Sequence, residues 1–112
     1  MEIRVEGDRR VKADRSLLRE LFYNLINNSI EWGAKRIDIR IGDDRLEYSD
    51  DGKGIPDGER DKVFMPYYSS NPKGMGLGMA VVKKIVEDHG WSIKALPSEE
   101  GAHFLIEFRS RN

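Results

Sequence analysis

The sequence predicts an α+β domain in which a mixed sheet carries helices on one face. Two segments space apolar residues as helices do: Leu17, Leu18, Leu21, Phe22, Leu25 and Ile26 in the first, and Leu77, Ala80, Val81, Ile85 and Val86 in the second. Shorter segments alternate with a period of two, as Ile37, Ile39 and Ile41 do around Asp38 and Arg40. Strand and helix patterns do not alternate steadily along the chain, which argues against a doubly wound parallel sheet.

Residues 1–5 alternate weakly and are expected to form a strand. A turn at Gly7-Asp8 and a short second strand at 10–13 follow. Asp14 is the expected N-cap, with Ser16 the alternative, for a helix over 15–32 that Gly33 stops. Gly42-Asp43-Asp44 joins the Ile37–Ile41 segment to Leu46 and Tyr48 as a hairpin with one buried face. Residues 50–58 hold three glycines and one proline and read as loop. One helical turn is expected within 59–64, then a second loop over 66–78. The second helix ends near Asp88, before Gly90, and two closing strands at 91–95 and 102–108 flank a turn over 97–101.

The chain has 112 residues, the size of a single domain, with 38% hydrophobic and 35% charged residues. With 19 Lys and Arg against 20 Asp and Glu, its net charge of −1 argues against a general nucleic-acid binder. The absence of cysteine excludes disulfides, thiolate metal sites and cysteine nucleophiles, and fits an intracellular setting. No apolar run approaches the roughly 18 residues of a membrane span, and the N-terminus is unlike a signal peptide. Any membrane contact is therefore expected outside this segment.

Three motifs carry candidate chemistry. The first helix bears Asn24, Asn27, Asn28 and Glu31 at the edge of its apolar stripe. Asn is a poor helix former, so three in five positions need a reason. Either they form a solvated edge, or they supply neutral oxygen ligands for a hard cation such as Mg²⁺. The second motif, Asp50-Asp51-Gly52-Lys53-Gly54-Ile55-Pro56, follows a strand. Taken alone it is a wide turn. Its glycines also let the backbone approach a flat ligand, beside a carboxylate that accepts from an amino group. The third, Gly74-Met75-Gly76-Leu77-Gly78, opens a helix and either is a flexible loop or binds anions through backbone N–H groups. It matches neither the dinucleotide nor the P-loop pattern.

In this order and spacing, with Phe64-Met65-Pro66-Tyr67 between the second and third motifs, the chain resembles the catalytic ATP-binding domain of sensor histidine kinases. That domain belongs to the GHKL superfamily and has the Bergerat fold. The resemblance runs from about Val11 to Phe108. It implies an α/β sandwich with a mixed, mostly antiparallel sheet, binding ATP and Mg²⁺. It makes Asn28 the metal ligand and Asn24 its helper, and these two are the expected catalytic residues. Asp50 would take the adenine amino group, with Gly52, Gly54 and Ile55 beside the ring. Phe64 and Tyr67 would anchor a mobile lid over about 67–74. Lys73, Gly74, Gly76, Leu77 and Gly78 would lie near the phosphates.

The implied activity is γ-phosphoryl transfer to a histidine on a separate dimerisation and phosphoacceptor domain, in two-component signalling with a response regulator as indirect partner. A cytoplasmic location is implied, in the cytoplasmic part of a membrane sensor where there is one. His89 and His103 read as a turn and a strand residue, so the acceptor is expected outside this chain. Glu31 and Asn71 stand where many members carry Lys, which favours the alternative of a degenerate nucleotide-binding or interaction module. Asn24 stands where ATP-hydrolysing branches and serine kinases place a Glu base. An amide cannot take that proton, so the GHKL ATPase or serine kinase alternative is disfavoured.

Overall fold

The structure, a computed structural model, describes residues 1–8, 10–68 and 77–108. The expected contributions of Lys73, Gly74 and Gly76, and most of the expected lid, lie outside them. Helix α1 spans Arg15–Glu31, and the Asp14 carboxylate caps it by accepting from Leu17 N at 3.0 Å. Strand β1 (Glu2–Glu6) pairs in parallel with β2 (Arg36–Ile41), which forms an antiparallel hairpin with β3 (Arg45–Asp50). Helix α2 covers Gly78–Asp88, and β4 (Ser92–Ala95) and β5 (His103–Glu107) close the sheet in the order β1-β2-β3-β5-β4.

The register explains the core. Ile39, Tyr48 and Phe104 face one another across three strands, and Ile41, Leu46 and Ile106 form the next row. These rows, with Leu21 and Leu25 of α1 and Val82 and Val86 of α2, make the buried cluster between sheet and helices. The opposite face alternates charge between strands, as in Glu6–Arg40, Arg40–Glu47 and Arg45–Glu107. Because a strand repeats every two residues, Asp50 points to the same side as Tyr48 and Leu46, beneath α1. A carboxylate is thereby carried into the covered face of the sheet.

The structure corrects one local expectation. Residues 10–13 form no strand; Val11 and Ala13 pack on the core from irregular chain. Two apolar residues spaced by two suit a packed loop as well as a strand. The helical turn expected within 59–64 is a 3₁₀ turn at Lys62–Phe64. His89 is a structural tie between the two helices. Its Nδ1 bonds the Ile85 carbonyl at 2.7 Å, its Nε2 accepts from Asp14 N at 3.0 Å, and its ring stacks on Trp91. His103 lies in β5, 3.0 Å from Glu47.

Candidate functional site

Near its C-terminal end, α1 turns Asn24 and Asn28 toward the start of α2. The Asn24 amide donates to the Glu20 carbonyl at 2.9 Å, which fixes its nitrogen against its own helix and leaves its oxygen facing away. A Cβ on Gly78 would stand 3.3 Å from Asn24 Oδ1 and 3.6 Å from Asn28 Oδ1, so α2 begins directly against both carboxamides. Among the described residues, no side chain caps α2 at Leu77. Asn24, Asn27, Asn28, Glu31, Trp32, Tyr68, Leu77 and Gly78 line a cavity of about 300 Å³. Neutral amide oxygens beside a helix N-terminus suit a hard cation that itself carries an anionic ligand. The donor set therefore fits Mg²⁺ with a polyphosphate.

Asp50 is 6% exposed, and its partners fix both oxygens. Oδ1 accepts from Gly52 N and from Ala102 N, each at 3.0 Å, and Oδ2 accepts from the Ser29 hydroxyl at 2.6 Å. Ser29 Oγ is also 2.7 Å from the Tyr48 hydroxyl. Burial, the larger effect, together with the Asp50 charge pushes the Tyr48 phenol well above the ordinary tyrosine range. Two glycines make this packing possible. A Cβ on Gly52 would come within 2.8 Å of the Trp32 carbonyl, and one on Gly101 would overlap the Asp50 carbonyl oxygen. Asp51 turns the other way. Its carboxylate takes the Arg36 and Lys35 N–H groups, which hold it below the usual carboxylate range and pin the start of β2.

Of the expected residues, Asn24, Asn28, Leu77 and Gly78 meet around the cavity. Asp50, Gly52, Gly54 and Ile55 do not line that cavity; Asp50 borders a separate one with Ser49 and His103. Gly54 backs onto the Gly101 carbonyl and Ile55 packs on the core. Phe64 is buried edge-on to Phe104, away from the cavity wall. Tyr67 is not brought to the cavity. Its positive φ turns it out to 76% exposure, and Tyr68 lines the cavity in its place, donating to Glu59 at 2.9 Å. Sequence reasoning missed Ser29 and Tyr48. The one available sign was period-two parity, which sets Tyr48 beside Asp50 on the same strand face.

Comparison with known proteins identifies the family and the fold. The family model described as histidine kinase-, DNA gyrase B- and HSP90-like ATPase matches residues 13–112. The sensor histidine kinase ZraS of Salmonella typhimurium is 36% identical over 106 residues, covering 88% of this chain and 23% of that protein. Sporulation kinase A of Bacillus subtilis is 31% identical over 105 residues, covering 88% of this chain and 17% of that protein. The chain thus spans less than a quarter of these curated relatives. Among solved structures, the catalytic domain of histidine kinase ThkA superposes with a TM-score of 0.77 at 28% identity, covering 97% of this chain and 78% of that one. The mycobacterial sensor histidine kinase MprB gives 0.71 at 29% identity, covering 97% and 84%. The chain belongs to the histidine kinase-, DNA gyrase B- and HSP90-like ATPase family, and its relatives are sensor histidine kinases.

Proposed function

We propose that this domain binds ATP with Mg²⁺ and donates the γ-phosphoryl group to a histidine on a separate dimerisation and phosphoacceptor domain, on the cytoplasmic side of a two-component system. The observation that carries the reading is the juxtaposition of the Asn24 and Asn28 oxygens with the uncapped start of α2. Asn24 and Asn28 would hold the metal, which when bound would neutralise phosphate charge. The N–H groups at the start of α2 would orient phosphate oxygens. Asp50 would accept from the adenine amino group, with Gly52, Gly54 and Ile55 beside the ring. An incoming imidazole nitrogen would then form the new N–P bond as the bond to the leaving ADP oxygen breaks. Water would find no base at Asn24, since an amide cannot take its proton.

Calorimetric titration with ATP, with and without Mg²⁺, tests binding. Adding the helical phosphoacceptor domain of a sensor kinase, followed by detection of acid-labile phosphohistidine, tests transfer. Metal-dependent binding with transfer supports the reading. Binding without transfer to any acceptor domain supports the degenerate module instead, and Glu31 on the cavity wall is the feature that would explain it.

A further inference from the structure

We propose that Ser29 and Tyr48 are positioning residues that make Asp50 an acceptor-only surface, and that they thereby set the preference for a 6-aminopurine over a 6-oxopurine nucleotide. The proposal rests on the adenine reading of Asp50 given above. It follows from counting protons. A carboxylate can only accept, and Asp50 offers about four lone-pair sites. The Gly52 and Ala102 N–H groups fill two of these on Oδ1, and the Ser29 hydroxyl fills one on Oδ2. Ser29 has a single proton and gives it to Asp50, so its oxygen must accept from Tyr48. Tyr48 is 0% exposed, and the same low-dielectric setting that keeps its phenol protonated makes it the obligate donor.

The protons therefore run one way, from Tyr48 to Ser29 to Asp50. Each hydroxyl in the chain is committed inward, and by this count one acceptor site on Oδ2 remains for the proposed ligand. A 6-amino group donates to that site. A 6-carbonyl would set acceptor against acceptor, with no free hydroxyl able to turn and donate. Such unmatched polar contacts discriminate far more strongly than shape alone. Asp50 by itself does not guarantee this. A carboxylate next to a reorienting water can present a donor through that water, whereas Ser29 already fills one site on Oδ2 with its own proton.

The test is titration of the 112-residue chain with ATP and with GTP, comparing the ratio of affinities across variants. Ser29→Ala opens room for a water that can donate to a carbonyl, so the ATP/GTP preference should fall on the order of tenfold, one hydrogen bond's worth. Tyr48→Phe frees the Ser29 hydroxyl to rotate and should lower the preference by a smaller factor in the same direction. Ser29→Thr keeps the hydroxyl and should restore the ratio. A purely structural role would weaken both nucleotides together and leave the ratio unchanged. If Ser29→Ala fails to fold, Tyr48→Phe, which deletes one atom, decides. An unchanged ratio in the Ser29 and Tyr48 variants, with a shift toward GTP in Asp50→Asn, overturns the relay and leaves the adenine reading standing. An unchanged ratio in Asp50→Asn as well overturns both.

Discussion

Replacing Gly101 by alanine should cost far more than replacing Gly90, although both have positive φ, +69° and +77°. At Gly90 the added methyl meets nothing within 4 Å, so only the left-handed backbone is penalised, by about 1 kcal/mol. At Gly101 the same methyl would overlap the Asp50 carbonyl oxygen and come within 2.6 Å of Asp50 Oδ1. Both contacts belong to fixed groups, so the turn must move. Moving it breaks the Ala102 N–H bond to the Asp50 carboxylate and the Asp50 N–H bond to the Ala102 carbonyl, each 3.0 Å. A bond to a charged partner contributes about 1.5–3 kcal/mol and a neutral one about 1 kcal/mol. The expected loss is about 4 kcal/mol, a large part of the roughly 5–15 kcal/mol that holds a domain together. Urea unfolding should show the midpoint of Gly101→Ala falling several times further than that of Gly90→Ala, with an unchanged slope. In a thermal scan the drops should be roughly 20 °C and 5 °C. Destabilisation of the two variants by equal amounts would refute the claim that the 101 turn is built onto Asp50.

Three further outcomes are expected. Gly78→Ala places a methyl 3.3 Å from Asn24 Oδ1, so calorimetry should find Mg²⁺-dependent nucleotide affinity reduced on the order of tenfold with stability unchanged; equal affinity would count against the carboxamide–helix arrangement. The wild-type chain should turn over ATP far below about 1 s⁻¹, and Asn24→Glu should raise hydrolysis in a phosphate-release assay; rapid wild-type turnover abolished by Glu31→Gln would make Glu31 the base. Tyr68 is pushed up to about 12, first by burial and then by its bond to Glu59. The native state thus holds a proton that the unfolded chain loses near pH 10, and the stability tied to Tyr68 is full below pH 10 and lost as pH rises toward 12. Tyr68→Phe should flatten the fall in urea midpoint across that window.

The elements were legible because periodicity is local. Leu17 to Ile26 and Ile37 to Ile41 announce helix and strand without reference to the rest of the chain. What could not be read was pairing between distant segments. Strand β5 inserts between β3 and β4, so Tyr48 meets Phe104, 56 residues further on. The site divides in the same way. Asn28, Asp50 and the glycines around Asp50 declare their candidate chemistry in residue type and spacing. Ser29 and Tyr48 are ordinary residues whose role exists only once α1 lies over the sheet. Tyr67 and Tyr68 show the limit within a loop. Without a period, nothing in the sequence tells which of two adjacent tyrosines turns inward, and a positive φ at Tyr67 decides it.

On the proposed reading, one turn of α1 serves two separate ends of the site. Successive helical residues are rotated by about 100° and rise by only about 1.5 Å, so neighbours face different partners at nearly the same height. Asn28 faces the start of α2, where charge from phosphates would gather, and Ser29 faces the sheet, where it bonds Asp50. The two roles cannot drift apart, because they share a peptide bond. Tyr48 and Asp50 are in turn fixed by ladder pairing with Ile39 and Ile37. On that reading, a shift of α1 along its axis would disturb metal binding and base recognition together. On the proposed reading, a folded variant changed at position 29 alone would disturb base recognition and leave Asn28 in place. This separation is why affinity ratios between nucleotides resolve the function of Ser29, whereas affinity for one nucleotide would not.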